Sequence, residues 1–110
     1  MSTFRLKRGD TSPAIKYQLV DDTGAPVDIS GADVRFLVED HETLLVDDDR
    51  NGNVSVPDPT KGIVRYDWQP ADTQGAGIFD AEWEVTYSDG TTETFPNTED
   101  ITVRIIQDIG

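Results

Sequence analysis

Residues 4–38 read FRLKRGDTSPAIKYQLVDDTGAPVDISGADVRFLV. Within residues 15–19 apolar side chains alternate with polar ones, so one face of a strand is apolar and the other is hydrated. Turn residues at 22–26 then interrupt this alternation, and residues 34–38 resume it. The stretch therefore predicts two strands, a turn and the start of a third strand.

The same period of two continues along the rest of the chain, and no segment has a convincing period of 3.6. Only residues 70–75, with a proline at the start and a glycine at the end, predict a helical turn. Turn signals every 8–12 residues or so are typical of an antiparallel β-sandwich of about seven to nine strands. No linker or repeat divides the chain, so residues 1–110 are expected to form a single domain. The strand candidates are residues 3–8, 14–20, 33–40, 43–46, 53–56, 63–68, 78–87, 91–95 and 101–106.

The net charge limits the partners of the protein. Twenty-two acidic residues against nine basic ones give a formal charge of −13, which makes nucleic acid an unsuitable partner. The acids are 16 Asp and 6 Glu, and only three of the basic residues are lysines. Self-repulsion of this size is largely screened at molar salt, where the Debye length is about 3 Å. The composition therefore favours a halophilic source, while an ordinary acidic protein of a mesophile is the alternative.

Several classes of site and location are disfavoured by what the sequence lacks. Without cysteine there is no disulfide, zinc-thiolate site or cysteine nucleophile. No apolar run approaches the ~20 residues that span a bilayer, and the first residues do not resemble a signal peptide. We therefore expect a soluble protein, made in the cytoplasm, with no membrane partner.

Turn and core motifs are spread over nearly the whole chain. They are Phe4-x-Leu6-x-x-Gly9-Asp10-Thr11, the run DTGAPVDISGA at 22–32, Val34-x-Phe36, Gly62-Ile63-Val64-x-Tyr66, Asp72-Thr73 before Gly77, FDAEWxV at 79–85, the Asp89-Gly90 turn and Thr94-Phe95-Pro96. Together these motifs resemble the N-terminal domain of phage baseplate upper proteins. The resemblance implies an immunoglobulin-like β-sandwich.

The same resemblance implies a function without catalysis. It suggests a structural protein in the tail or baseplate of a tailed virus, which connects neighbouring virion proteins and forms a homo-oligomer in the virion after assembly in the host cytoplasm. Together with the acidic surface it points to a virus of haloarchaea. The alternatives are capsid decoration, or a receptor- or carbohydrate-binding module in which exposed aromatics such as Trp68 or Tyr87 form a sugar platform. A further alternative is a calcium-dependent adhesion domain that uses the loop from Asp47 to Asp58.

Residues 47–58 form the sharpest candidate site. Oxygen ligands at Asp47, Asp49 and Asn51, followed by a glycine at the sixth place, reproduce most of a calcium-loop pattern. Asn53 and Asp58 occupy the seventh and twelfth places, although Asp58 is shorter than the usual Glu. The alternative is an acidic Asn-Gly hairpin tip. Calcium is therefore the one cofactor that the sequence suggests.

Other polar groups give no support for an enzyme. Asp80, Glu82 and Glu84 alternate on one strand, where a solvated face is the simplest interpretation of three carboxylates. The single histidine, His41, lacks a Ser or Cys partner in any recognisable motif. We predict no catalytic residues.

Contacts with other virion subunits are predicted at the terminal strands. Open strand edges can pair with a neighbour in an assembly. The candidate interface residues are Phe4, Leu6, Ile106 and Ile109, and packing within the sandwich is an equally good account of Ile106.

Overall fold

A computed structural model describes residues 2–40, 44–49, 52–96, 101–107 and 109. These residues form nine β-strands and two short 3₁₀ turns, Pro59–Lys61 and Pro70–Thr73. Each strand overlaps one of the nine predicted segments, and the predicted helical turn at 70–75 is the second 3₁₀ turn. The strands are β1 (Ser2–Lys7), β2 (Ile15–Gln18), β3 (Asp33–Glu39), β4 (Leu44–Asp49), β5 (Val54–Asp58), β6 (Ile63–Tyr66), β7 (Gly77–Thr86), β8 (Thr92–Phe95) and β9 (Ile101–Ile106).

The strands form two sheets. The larger sheet has the order β1-β9-β7-β3-β4, with β8 also paired to β7, and the smaller has the order β2-β6-β5. Strands 2, 5 and 6 thus oppose strands 3, 7 and 9, as in an immunoglobulin-like sandwich, and the predicted fold class is confirmed. One pair departs from the antiparallel pattern, because β1 runs parallel to β9. These two strands come from opposite ends of the chain, so no hairpin constrains their direction.

Aromatic side chains from both sheets meet in the core. Phe36 on β3 lies 4.3 Å from Trp83 on β7 and 4.9 Å from Tyr66 on β6, measured between ring centroids. All three side chains are buried. Their alternation with polar residues is the period-two pattern of the sequence, which places one apolar face of each sheet against the other.

The 3₁₀ turn Pro70–Thr73 is attached to the core by hydrogen bonds. Asp72 accepts hydrogen bonds from the Tyr66 hydroxyl and, at 2.8 Å, from the backbone N–H of Gln69. Thr73, the one polar residue among the fully buried side chains of the described residues, donates from Oγ1 to the carbonyl of Asp10 at 2.9 Å. The turn therefore closes one end of the sandwich.

Gly62, after the first 3₁₀ turn, sits where two segments of backbone approach closely. Its φ is +67°, and a Cβ at this position would lie 2.6 Å from the carbonyl oxygen of Val27 and 2.8 Å from that of Leu19. Only glycine fits such a left-handed, crowded position without strain.

Candidate functional site

The predicted calcium loop is divided between the two sheets. Asp47 lies on β4 of the larger sheet, whereas Asp58 ends β5 of the smaller sheet. Asp47 accepts two hydrogen bonds from Arg35, at 2.6 and 2.7 Å, on the outer face of the larger sheet. The Arg35 guanidinium lowers the pKa of the Asp47 carboxyl by this hydrogen bonding. An arginine therefore occupies the carboxylate that would be the first calcium ligand.

The other described oxygens of the loop also have partners within the chain. Asn53 donates from Nδ2 to Asp48 at 2.9 Å. Asp58 accepts from the backbone N–H of Lys61 at 3.3 Å and from the Thr60 hydroxyl at 3.0 Å, so it caps the 3₁₀ turn Pro59–Lys61. Asn51 and the side chain of Asp49 lie outside the described residues.

Within the described parts of the chain, no group of three or more His, Cys, Asp or Glu side chains is placed to hold a metal ion. Calcium binding by residues 47–58 thus stays a prediction. His41 also lies outside the described residues, so the structure adds nothing to the sequence interpretation of this histidine.

Four Asp-x-Ser/Thr segments use their carboxylates to shape loops. Asp21 accepts from the backbone N–H and hydroxyl of Thr23 at 2.9 and 2.6 Å. The same contacts join Asp28 to Ser30 and Asp89 to Thr91, and Asp58 binds the Thr60 hydroxyl. These hydrogen bonds lower the pKa values of Asp21, Asp28 and Asp89, which we call the Asx-turn aspartates. These turns therefore explain part of the excess of aspartate over glutamate in the sequence, because the glutamate side chain is too long for this contact.

The three carboxylates of β7 lie on the outward face of the larger sheet, as the alternation predicts. Glu82 has a raised pKa, because burial of its carboxyl removes hydration and because the charges of Glu39 and Glu84 lie nearby. Glu84 also approaches Arg35 at 3.6 Å. The arrangement is a flat carboxylate row rather than a cleft with two facing acids.

The candidate interface residues fall into three environments. Leu6 is 4% exposed and belongs to the core, so its assignment to an interface is wrong. The strand β1 extends the larger sheet beside β9, and the side chain of Leu6 lies on the inner face of this sheet. Phe4 is half-buried and stacks on Trp68, with ring centroids 5.9 Å apart. Ile106 is half-buried, and Ile109 is fully exposed. Contacts at Phe4, Ile106 and Ile109 stay predictions.

A sugar platform at Trp68 is also wrong. Trp68 is 2% exposed and packs edge-on against Tyr66, at 5.3 Å between ring centroids. Tyr87 is half-buried, and its hydroxyl donates to Glu93 at 2.7 Å. Burial and this bond raise the pKa of Tyr87 to about 12. Trp68 therefore serves the sandwich itself, whereas a sugar contact at Tyr87 stays a prediction.

Sequence reasoning missed a cluster of exposed cations formed by β1 and β9. Arg5 lies opposite Arg104, and Lys7 lies opposite Ile106, all on the outer face of the larger sheet. Ile78 on β7, opposite Arg104, is 66% exposed. The outward positions of each strand can be read from the alternation, but the pairing that joins residues about 100 positions apart cannot.

Comparisons with known proteins bear on the fold alone. No protein-family model and no curated protein matches the sequence. The crystal structure of CopC from Methylosinus trichosporium OB3b is similar with a TM-score of 0.55 and 11% identity, covering 100% of this chain and 89% of that one. The structure of murine CRIg gives a TM-score of 0.39 and 14% identity, covering 98% and 93% of the two chains. In the described residues no helix is long and apolar enough to cross a membrane.

Proposed function

We propose that this chain is a non-enzymatic structural subunit of a tailed virus, which docks on neighbouring proteins of the tail or baseplate. The proposal extends the resemblance to baseplate upper proteins that the sequence carries. Its role is binding through surfaces, with other virion proteins as partners, and it needs no cofactor for this role.

The observation that carries the proposal is the distribution of polar groups. In the described residues Thr73 is the one buried residue of polar type, and its hydroxyl is bonded to a backbone carbonyl. The other buried polar groups belong to aromatic side chains: the Tyr66 hydroxyl is bonded to Asp72, and the indole N–H groups of Trp68 and Trp83 have no hydrogen-bond partner among the described residues. Described carboxylates such as Asp47, Asp58 and Asp72 are held by an arginine, a turn or a tyrosine. A sandwich organised in this way supports recognition by its faces and edges more readily than a reaction in its interior.

Open sheet edges add support. Among the described strands, β1 pairs only with β9 and β4 only with β3, so both are edge strands of the larger sheet. In a monomer such edges risk uncontrolled pairing, whereas in an assembly they can add a strand from a neighbouring subunit.

Purified particles of the virus that encodes the chain provide the test. We expect its peptides in gradient-purified virions, at an amount proportional to known tail proteins and not to head proteins, as measured by quantitative mass spectrometry. Antibody labelling seen by electron microscopy should place the chain on the tail. A chain that stays with host proteins outside the particle peak, or labels only the capsid surface, contradicts the tail or baseplate assignment.

The halophilic source is part of the same proposal, and thermal unfolding tests it. Screening of a net charge of −13 should raise the melting temperature between low salt and molar KCl. A fold that gains no stability over this range contradicts the salt-adapted interpretation without affecting the virion role.

A further inference from the structure

The outer face of the larger sheet carries a basic cluster, which consists of Arg5, Lys7 and Arg104. Arg5 and Arg104 occupy directly opposite positions of the β1–β9 pair, so their side chains leave the sheet on the same face. All three are exposed, and among the described residues none of them forms an ion pair. Like charges at directly opposite positions destabilise a sheet. The repulsion between Arg5 and Arg104 is relieved when carboxylates lie close to both side chains.

The same face carries an acidic cluster, which consists of Glu39, Asp80 and Glu82. Glu39 lies directly opposite Asp80 in the β3–β7 pair, and Glu82 is the next outward residue of β7. Within the described residues these three carboxylates form no ion pair either. The raised pKa of Glu82, caused by burial and then by Glu39 and Glu84, is consistent with a local excess of negative charge.

Ile78 lies between the two clusters. It is opposite Arg104 across the β7–β9 pair and two residues before Asp80 on the same face. Its side chain is 66% exposed, which makes it the most exposed large apolar side chain in the described strands. With strands about 4.8 Å apart and residues rising by about 3.3 Å, the centres of the clusters are about 15 Å apart.

We propose that this face binds the same face of a second copy of the chain, in a two-fold symmetric dimer. The basic cluster of each copy lies against the acidic cluster of the other, and the two Ile78 side chains meet near the two-fold axis. An isologous interface needs a self-complementary surface. Two clusters of opposite sign on either side of an apolar centre satisfy that requirement, and the arrangement also resembles the apolar core and polar rim of known interfaces.

A second copy fits this face better than other partners do. An anionic polymer or an acidic protein would match the basic cluster but would place negative charge against Glu39, Asp80 and Glu82. A basic partner would match the acidic cluster but would place positive charge against Arg5, Lys7 and Arg104. For its role in a virion the dimer rests on the proposed function, whereas the association is measured on the purified chain, so each can fail without the other.

Two charge-reversed variants test the contact. R5E/R104E places acids against acids in a homodimer, and D80R/E82R places bases against bases. We expect the wild-type chain to dimerise between about 10 μM and about 1 mM in sedimentation equilibrium. Each variant alone should associate at least about tenfold more weakly.

The decisive sample is an equimolar mixture of the two variants. In their heterodimer both contacts again join opposite charges, so association should return to a Kd near that of the wild type. Each variant has a matched control with the same change of charge at exposed positions away from this face. K16E/K61E is the control for R5E/R104E, and D10R/D22R is the control for D80R/E82R. Both controls should dimerise like the wild type once the difference in net charge is allowed for by measuring at moderate salt.

The outcomes separate clearly. A wild-type chain that stays monomeric to about 1 mM overturns the proposal, and so does a mixture that associates no better than its components. Weakening of the controls as much as of the face variants would also overturn it, because net charge would then explain the effect. If a variant fails to unfold cooperatively, the dimer is tested on the wild-type chain by recording amide chemical shifts as a function of concentration. Shifts that change only in the strands of this face support the dimer, and changes elsewhere overturn it.

Discussion

The contact between Tyr66 and Asp72 is expected to be among the strongest single polar contributions to stability. Tyr66 is 1% exposed, and its hydroxyl donates to the half-buried carboxylate of Asp72. The same carboxylate accepts the backbone N–H of Gln69 at 2.8 Å. Replacing Asp72 by alanine removes both bonds and leaves the tyrosine hydroxyl buried without its acceptor. Replacing Tyr66 by phenylalanine removes only one bond.

The structure sets different magnitudes for the two substitutions. A hydrogen bond to a charged group contributes about 1.5–3 kcal/mol, and a buried hydroxyl without a partner costs about 1–3 kcal/mol. Loss of the bond from the Gln69 N–H, which caps the start of the 3₁₀ turn Pro70–Thr73, costs about 1 kcal/mol. We therefore expect D72A to lower the free energy of unfolding by about 3 kcal/mol and Y66F by about 1.5 kcal/mol. In the D72A background Y66F should cost almost nothing, because the hydroxyl then has no acceptor to lose.

Urea unfolding of the four proteins in this double-mutant cycle measures the coupling. We expect a coupling free energy of about 1.5 kcal/mol between Tyr66 and Asp72, which is the difference between the costs of Y66F with and without Asp72. The control is Q69A, which removes the hydrogen bond from Gln69 Nε2 to the Asp67 carbonyl at 3.0 Å and leaves the tyrosine bond, and which should cost about 0.5–1 kcal/mol. If Y66F costs the same with and without Asp72, the two residues act independently and the reasoning is refuted.

Three further predictions concern the glycine contact, acid stability and the calcium loop. G62A should destabilise the chain by more than about 1 kcal/mol. The control is G31A, because Gly31 also has a positive φ but has open surroundings, so alanine should be tolerated better there. Equal losses of melting temperature in the two variants would refute the steric argument. The Asx-turn aspartates have lowered pKa values, so the stability they contribute is present above the ordinary Asp pKa near 3.8 and is lost as pH falls through their pKa values in the folded protein. A free energy of unfolding that stays constant as pH falls below 3.8 would contradict this prediction. If residues 47–58 bind calcium, CaCl₂ should raise the melting temperature above that in EDTA, with MgCl₂ as the control, and an unchanged value would remove the site.

High pH offers an independent check on Tyr66. Its pKa is strongly raised, first by burial and then by the hydrogen bond to Asp72. A raised pKa in the folded state means that stability is complete below the unfolded value near 10 and falls as pH rises above it. Y66F should therefore flatten the alkaline branch of the stability curve, as followed by unfolding between pH 9 and pH 11.

Local patterns were sufficient to predict the strands. The alternation at residues 78–87 places Phe79, Trp83 and Val85 on the inner face, and the structure confirms this face in β7. The Asp89-Gly90 turn joins β7 to β8, with φ of +89° at Gly90. These features depend on neighbours within a few positions, and the constraints of backbone geometry act at that range.

The environment of individual side chains was harder to predict. Trp68 follows the alternation of the predicted strand 63–68 and lies just beyond β6, but whether its face meets the other sheet or water depends on what covers it. Leu6 lies in the core because the pairing of β1 with β9 makes β1 part of the larger sheet. Residues 47–58 resemble a calcium loop as a string of ligands, yet the flanking strands β4 and β5 join different sheets. In each case a distant part of the chain decides the outcome.

The basic and acidic clusters show most clearly which features follow from the sequence and which follow from the tertiary structure. By itself the sequence determined the strands, their turns, the apolar face of each strand and the net charge of −13, because alternation and turn chemistry are local and charge is additive. Only the tertiary structure decided that Arg5 lies against Arg104 and Glu39 against Asp80. Pairing of distant strands follows from the packing of the whole sandwich, and no local rule encodes which charges then become neighbours.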